Sequence, residues 1–241
     1  MIIGLYIDDF ALLNKVTRKI KDEKIKLKHV NNPIKDKDIE VLISKKRIKG
    51  CKIPQIQPDN LDILELRIRC EIYGCSELTI GIDPGGINGL SAIGSERILF
   101  VDSYKNVEDM AEIIKSMNLE IGIKAIKIGS GSPPERARIV DSLKEFSSRI
   151  QLVNEENSGS GSHTEAATRI ALRKGILEPK ENYVPKDGEI IWIQQESRRL
   201  SKGLVTINKE LAYEILIGRI SMEDAINKYT ERLNMHDIRQ H

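Results

Sequence analysis

Cysteine is nearly absent from this chain: three residues, Cys51, Cys70 and Cys75, in 241. An odd, sparse set with no zinc-like spacing excludes a disulfide framework and a zinc-ribbon site, and fits free thiols in a reducing cytoplasm. Long apolar runs are missing too, so no membrane span is expected. The opening "MIIGLYIDDF" brings in acids after seven residues, which is not the pattern of a signal peptide. Aromatic residues make up only 4%, and no aromatic or arginine cluster accompanies the lysines. What the chain does have is 40% hydrophobic and 31% charged residues, the balance of a globular protein with a real core, in one large domain or two small ones.

Net charge is only +2, but it is unevenly spread. Residues 1–50 hold 13 Lys/Arg against 7 Asp/Glu, or +6, which leaves −4 for residues 51–241. A basic amino-terminal third can attract a polyanion, or can simply be a solvated surface.

Punctuation divides the chain. "IIGLYI", "IKLKHV" and "IEVLIS" read as strands, and "DFALLNKVTRKIKDE" as a helix with Phe10, Leu13, Val16 and Ile20 on its apolar face. They make a small α/β domain over residues 1–49. Residues 50–76 read as a connecting segment: "GCKIPQIQPDN" as a linker, then "LDILELRIRCEIYG". The latter alternates like a strand, yet Asn60 and Gly74 stand where helix caps belong, and a helix is expected. Residues 77–176 read as three strands ("LTIGID", "GLSAIG", "RILFVDSY"), a helix capped by Asn106, the strand "IKAIKIG", a helix from "PPERARIVDSLKEF", the strand "RIQLVNEE" and a helix from "HTEAATRIALRKG" ending at Gly175. Residues 177–241 are expected to be a helical extension, with Ser221 and Asp224 opening its last helix.

The amino-terminal domain resembles the start of a response-regulator receiver, with Asp8 and Asp9 ending its first strand. Ser44 and Lys45 stand where a receiver carries its phospho-accepting Asp, so the resemblance implies an accessory domain without phosphorelay chemistry.

The order of residues 77–176, with Asp83 closing the first strand, resembles the ribonuclease H fold: a mixed sheet of three antiparallel strands followed by αβαβα. The motifs "IGIDPG" and "GLSAI", "IGSGSPPERARIV" and "LVNEENSGS" are similar in order to those of RuvC-type resolvases and their YqgF-type relatives. RuvC-type enzymes carry a Glu at the end of the fourth strand, where this chain has Gly129 or Ser130, as in the YqgF-type pattern. The resemblance implies a Mg²⁺- or Mn²⁺-dependent nuclease acting on structured or single-stranded DNA or RNA. It also implies that metal and catalysis fall to Asp83, to Glu155 from the strand ending "NEE", and to Glu165 near the start of the last helix.

The residues themselves carry part of this. In a sheet of this kind the carboxyl ends of parallel strands share one rim, where open α/β sheets bind ligands. Three Gly/Ser-rich loops fall there, two of them leading into helix N-termini whose N–H groups favour anions. Gly85, Gly86, Ser130, Ser132, Ser158, Ser160, Arg136 and His163 are the candidate phosphate contacts, and Asp83, Glu155 and Glu165 the candidate cation ligands. Each acid has a second reading. Glu155 and the adjacent Glu156 can be solvated strand-end acids, and Ser162, His163 and Glu165 can form a helix cap.

Alternatives from other classes stay open. The fold can be kept as a catalytically weak nucleic-acid-binding or scaffold protein, or the Asp-x-Gly turn can belong to an actin-like nucleotide-binding phosphotransferase. Trp192 can be core or interface, and the carboxyl-terminal helices can pack on the sheet or form a homodimer.

Overall fold

The computed structural model describes residues 1–36, 38–154, 161–177, 185–216 and 220–237. Its strands form two sheets, one of four strands and one of six. The chain divides into two compact units, Met1–Leu78 with Ile93–Phe100 and Glu112–Lys124, and Thr79–Ala92 with Val101–Ala111 and Ala125–His241.

In the first unit β1 (Ile2–Tyr6), β2 (Lys26–His29), β3 (Val41–Ser44) and β4 (Gln55–Ile56) lie in the order β2-β1-β3-β4, every pair parallel. All four residues of β3 are buried, the continuous apolar run of a strand covered on both faces. Helix α1 (Phe10–Lys19) starts at Asp9, whose carboxylate accepts from the N–H groups of Ala11 and Leu12. Phe10 is 85% exposed and does not join the expected apolar face. At about 100° per residue it lies about 120° round the helix from Val16, which is buried.

The stretch expected as a linker contains β4, which pairs with β3 through Leu42↔Gln55 and Ile43↔Ile56. A two-residue edge strand between Pro54 and Pro58 looks like loop punctuation, because prolines are tolerated at edges. Helix α2 (Leu64–Tyr73) forms as expected and ends at Gly74 in the left-handed conformation, φ 64°. Its N-cap is Ile63 rather than Asn60, which instead accepts from the Asp62 N–H within the preceding turn. Leu64, Leu66, Ile68 and Cys70 are all buried. Residues 64 and 68 share one helix row and pack into the sheet core, while 66 and 70 lie on a different row that is also covered. A helix covered on two sides imitates strand alternation.

The six-stranded sheet comprises β5 (Leu78–Asp83), β6 (Asn88–Gly94), β7 (Arg97–Tyr104), β8 (Ile123–Gly129), β9 (Ile150–Val153) and β10 (Ile176–Leu177) in the order β10-β9-β8-β5-β6-β7. β8 and β9 are parallel, and β10, which the sequence reading lacks, adds antiparallel to β9. Helix α3 (Val107–Glu120) follows β7, with Asn106 accepting from the Glu108 N–H as expected. Helix α4 (Pro133–Ser142) stops short of the expected end, and a 3₁₀ turn over Lys144–Arg149 leads into β9.

Helix α5 (His163–Leu172) ends before Gly175. The Lys127 ammonium donates to the carbonyls of Ala171 and Arg173, satisfying the helix end so that the chain can turn into β10. Burial pushes the Lys127 pKa down. Helices α6 (Asp187–Leu200), α7 (Lys209–Leu216) and α8 (Met222–Asp237) share a core of Ile193, Ile207, Leu211, Ile215 and Ala225. Ser221 and Asp224 open α8 with reciprocal bonds, as expected. No helix among the described residues is long and apolar enough to cross a membrane.

Candidate functional site

The site is built by two glycines with no room for a side chain. A Cβ on Gly81 of β5 would collide with the Ala167 carbonyl and with Ala171, and one on Gly89 of β6 with the His163 carbonyl. Their absence lets α5 lie directly on these strands, with Thr168 donating to Ser91 Oγ at 3.0 Å. The first residue of α5, His163, is thereby brought to the last residue of β5, Asp83.

His163 Nδ1 donates to Asp83 Oδ2 at 3.0 Å. The carboxylate is 14% exposed and the imidazole 50%, so a sheltered acid orients an accessible ring. In the neutral ring with Nδ1–H committed, the lone pair falls on Nε2. Among the described residues Asp83 has no partner besides His163. Gly85 borders the ring: a Cβ there would come within 3.6 Å of His163 Cε1. Its N–H is taken by buried Asn88 Oδ1 at 3.2 Å, so it is closed as a phosphate contact. Gly86 faces open space.

The other expected residues divide. The Glu165 carboxylate accepts from the Ser162 N–H at 3.1 Å while Ser162 Oγ accepts from the Glu165 N–H, a complete capping box. The described bonds of Glu165 therefore serve the helix end. Arg136, expected to reach outward, is buried and donates to the Ser130 carbonyl at 3.2 Å, tying down the β8–α4 loop. Ser132 precedes α4 without a side-chain cap bond. Glu155, Ser158 and Ser160 lie outside the described residues. Among the described residues no three His, Cys, Asp or Glu side chains group as a metal set.

Sequence reading placed His163 in a cap or on a phosphate and missed its bond to Asp83. The available signal was the pair of glycines inside strands, Gly81 in "LTIGID" and Gly89 in "NGLSAIG", where a missing side chain marks a close approach of another backbone. Trp192 is 44% exposed and lines a cleft of about 430 Å³ with Leu200, Met222 and Arg138, outside the core of α6–α8.

No curated protein and no solved structure matches the chain. Residues 186–231, which span α6, α7 and much of α8, are similar to the family described as "Three helical bundle domain".

Proposed function

We propose that this protein is a divalent-metal-dependent nuclease of ribonuclease H fold, hydrolysing phosphodiester bonds of structured or single-stranded nucleic acid around Asp83 and His163. Support for the fold comes from the strand order β7-β6-β5-β8-β9, with the acid-bearing strand in the middle. The single observation that carries the activity is the Asp83–His163 pair at the end of that strand. A hard divalent ion keeps several waters and needs only one or two protein carboxylates. Asp83 fits as one such ligand, through the oxygen not bonded to His163. A bound Mg²⁺ or Mn²⁺ would supply a Lewis acid for the phosphoryl oxygens.

The chain's own groups do the rest. Asp83 holds the tautomer and orientation of His163, and Nε2 accepts a proton from the attacking water. The amino end of α5 favours the phosphate's negative charge beside that ring. Cleavage of a panel of single-stranded, duplex and branched DNA and RNA with Mg²⁺ or Mn²⁺, lost in Asp83→Asn, is the expected result. Unchanged cleavage by Asp83→Asn would sink the assignment.

A second reading has its own observation. The engagement of Glu165 in a capping box favours a catalytically weak protein that binds nucleic acid without cutting it. Tight binding with no metal-dependent cleavage would select it.

A further inference from the structure

The loop between β3 and β4, "KKRIKGCK", carries five cations, Lys45, Lys46, Arg47, Lys49 and Lys52, and no acid. Lys45 meets Asp9 at 3.8 Å, while among the described residues no carboxylate pairs with Lys46, Arg47, Lys49 or Lys52. Like charges at this density repel, so a loop that holds them together needs other ties. Gln55 of β4 provides them: its side-chain oxygen accepts from the Ile48 N–H at 2.7 Å, and its amide donates to the Ile48 carbonyl at 3.2 Å. Gly50 allows the turn at φ 80°, a backbone state that most side chains resist. Held in this way, the loop walls a pocket of about 500 Å³ whose lining includes the cations Arg47 and Lys52, the apolar Ile53 and Pro54, and the polar Gln57 and Glu71.

We propose that this pocket binds the phosphodiester backbone of single-stranded nucleic acid, at a site that shares no residue with Asp83 and His163. Charge complementarity selects a polyanion, and a guanidinium fork matches phosphate oxygens. The concavity, with Ile53 and Pro54 beside polar groups, selects a single strand, because an unpaired nucleotide can turn its base into a pocket whereas a duplex keeps its bases stacked. Gln57 and Glu71 then offer an amide and an acceptor to the base edge. A loop already pinned by Gln55 loses little freedom on binding. The proposal deepens the nuclease reading by naming how its substrate is held, and rests on that reading only for the identity of the polyanion.

The test is fluorescence anisotropy of a labelled single-stranded oligonucleotide with the full chain, in EDTA and in an Asp83→Asn background so that cleavage plays no part. The Arg47→Gln/Lys52→Gln variant should lose two phosphate contacts, lowering the magnitude of the log K against log salt slope by about 1.4 and the affinity about 25-fold at ~0.1 M salt. Its melting temperature should match the parent's, because both side chains are exposed. An unlabelled duplex of equal length should compete poorly. Equal binding and an equal salt slope in the double variant would overturn the proposal, and so would a duplex competing as well as the single strand. Either failure leaves Asp83-dependent cleavage a separate question, and absent cleavage leaves the binding result standing.

Discussion

His163 Nδ1 donates to Asp83 Oδ2 across 3.0 Å, joining residues 80 positions apart in the chain. The bond fixes which imidazole nitrogen is left to do chemistry. One substitution separates the nitrogens. Asparagine at 163 can keep an amide donor near the Nδ1 place but lacks Nε2, whereas glutamine reaches further. His163→Asn should keep stability within about 0.5 kcal/mol of the parent and lower metal-dependent cleavage by a factor on the order of 10²–10⁴. Urea denaturation and single-turnover cleavage measure the two effects, and full activity in His163→Asn would exclude a proton-transfer role.

Glycine at 81 is a packing requirement. Gly81→Ala pushes a methyl group into backbone and side-chain atoms of α5, a collision that only helix movement relieves. Destabilisation of about 1–3 kcal/mol is expected. Gly89→Ala should cost a similar ~1–3 kcal/mol and should also displace His163, whose carbonyl it meets. Gly86→Ala meets open space and serves as the near-neutral control. Shifts in urea midpoint give the ranking, and a Gly89→Ala protein as stable as Gly86→Ala would contradict the close approach.

Glu165 completes the capping box of α5. Glu165→Ala should destabilise by about 0.5–2 kcal/mol, whereas Glu165→Gln, which can still accept from the Ser162 N–H, should stay close to the parent. Melting with and without Mn²⁺ adds the decisive arm. Retention of any Mn²⁺-induced shift by Glu165→Gln is expected, and its loss would return Glu165 to the metal.

Acid should weaken the first unit. The Lys24 N–H and the Arg69 guanidinium hold the Asp22 carboxyl below its ordinary value of 3.8. Asp9 is lowered chiefly by the Leu12 N–H, and Asp36 by the Lys28 ammonium. A carboxyl lowered on folding contributes stability that is complete above the unfolded value and is lost as pH falls through the folded one. Stability should therefore drop below about pH 4. Asp22→Asn should shallow that acid limb in denaturation curves taken from pH 5 to pH 2, and an unchanged limb would remove Asp22 from the account.

Residues that signal locally were legible. Asn106 as a cap, the Gly74 stop, the Ser221–Asp224 helix start and Asp83 at the end of a strand all depend on neighbours within a few positions, where propensity and hydrogen bonding act without long-range help. Asp9, read as closing the first strand, instead caps α1 after β1 has ended at Tyr6. β4 and β10 escaped because two-residue edge strands exist only through the partner that pairs with them. The twofold burial of α2 escaped because periodicity reports one face at a time.

By itself the sequence determined the alternation of strands and helices, the apolar residues available for a core, the uneven charge, and the candidate acids. Only the tertiary structure decided how Asp83, Glu165, Arg136 and His163 are bonded. It turned Glu165 to its own helix, drew Arg136 inward to Ser130, and placed His163 on Asp83. The reason is steric and long-range: how closely α5 approaches β5 and β6 is set by missing side chains at Gly81 and Gly89, and a local pattern of polar and apolar residues carries no record of which distant backbone fills that space.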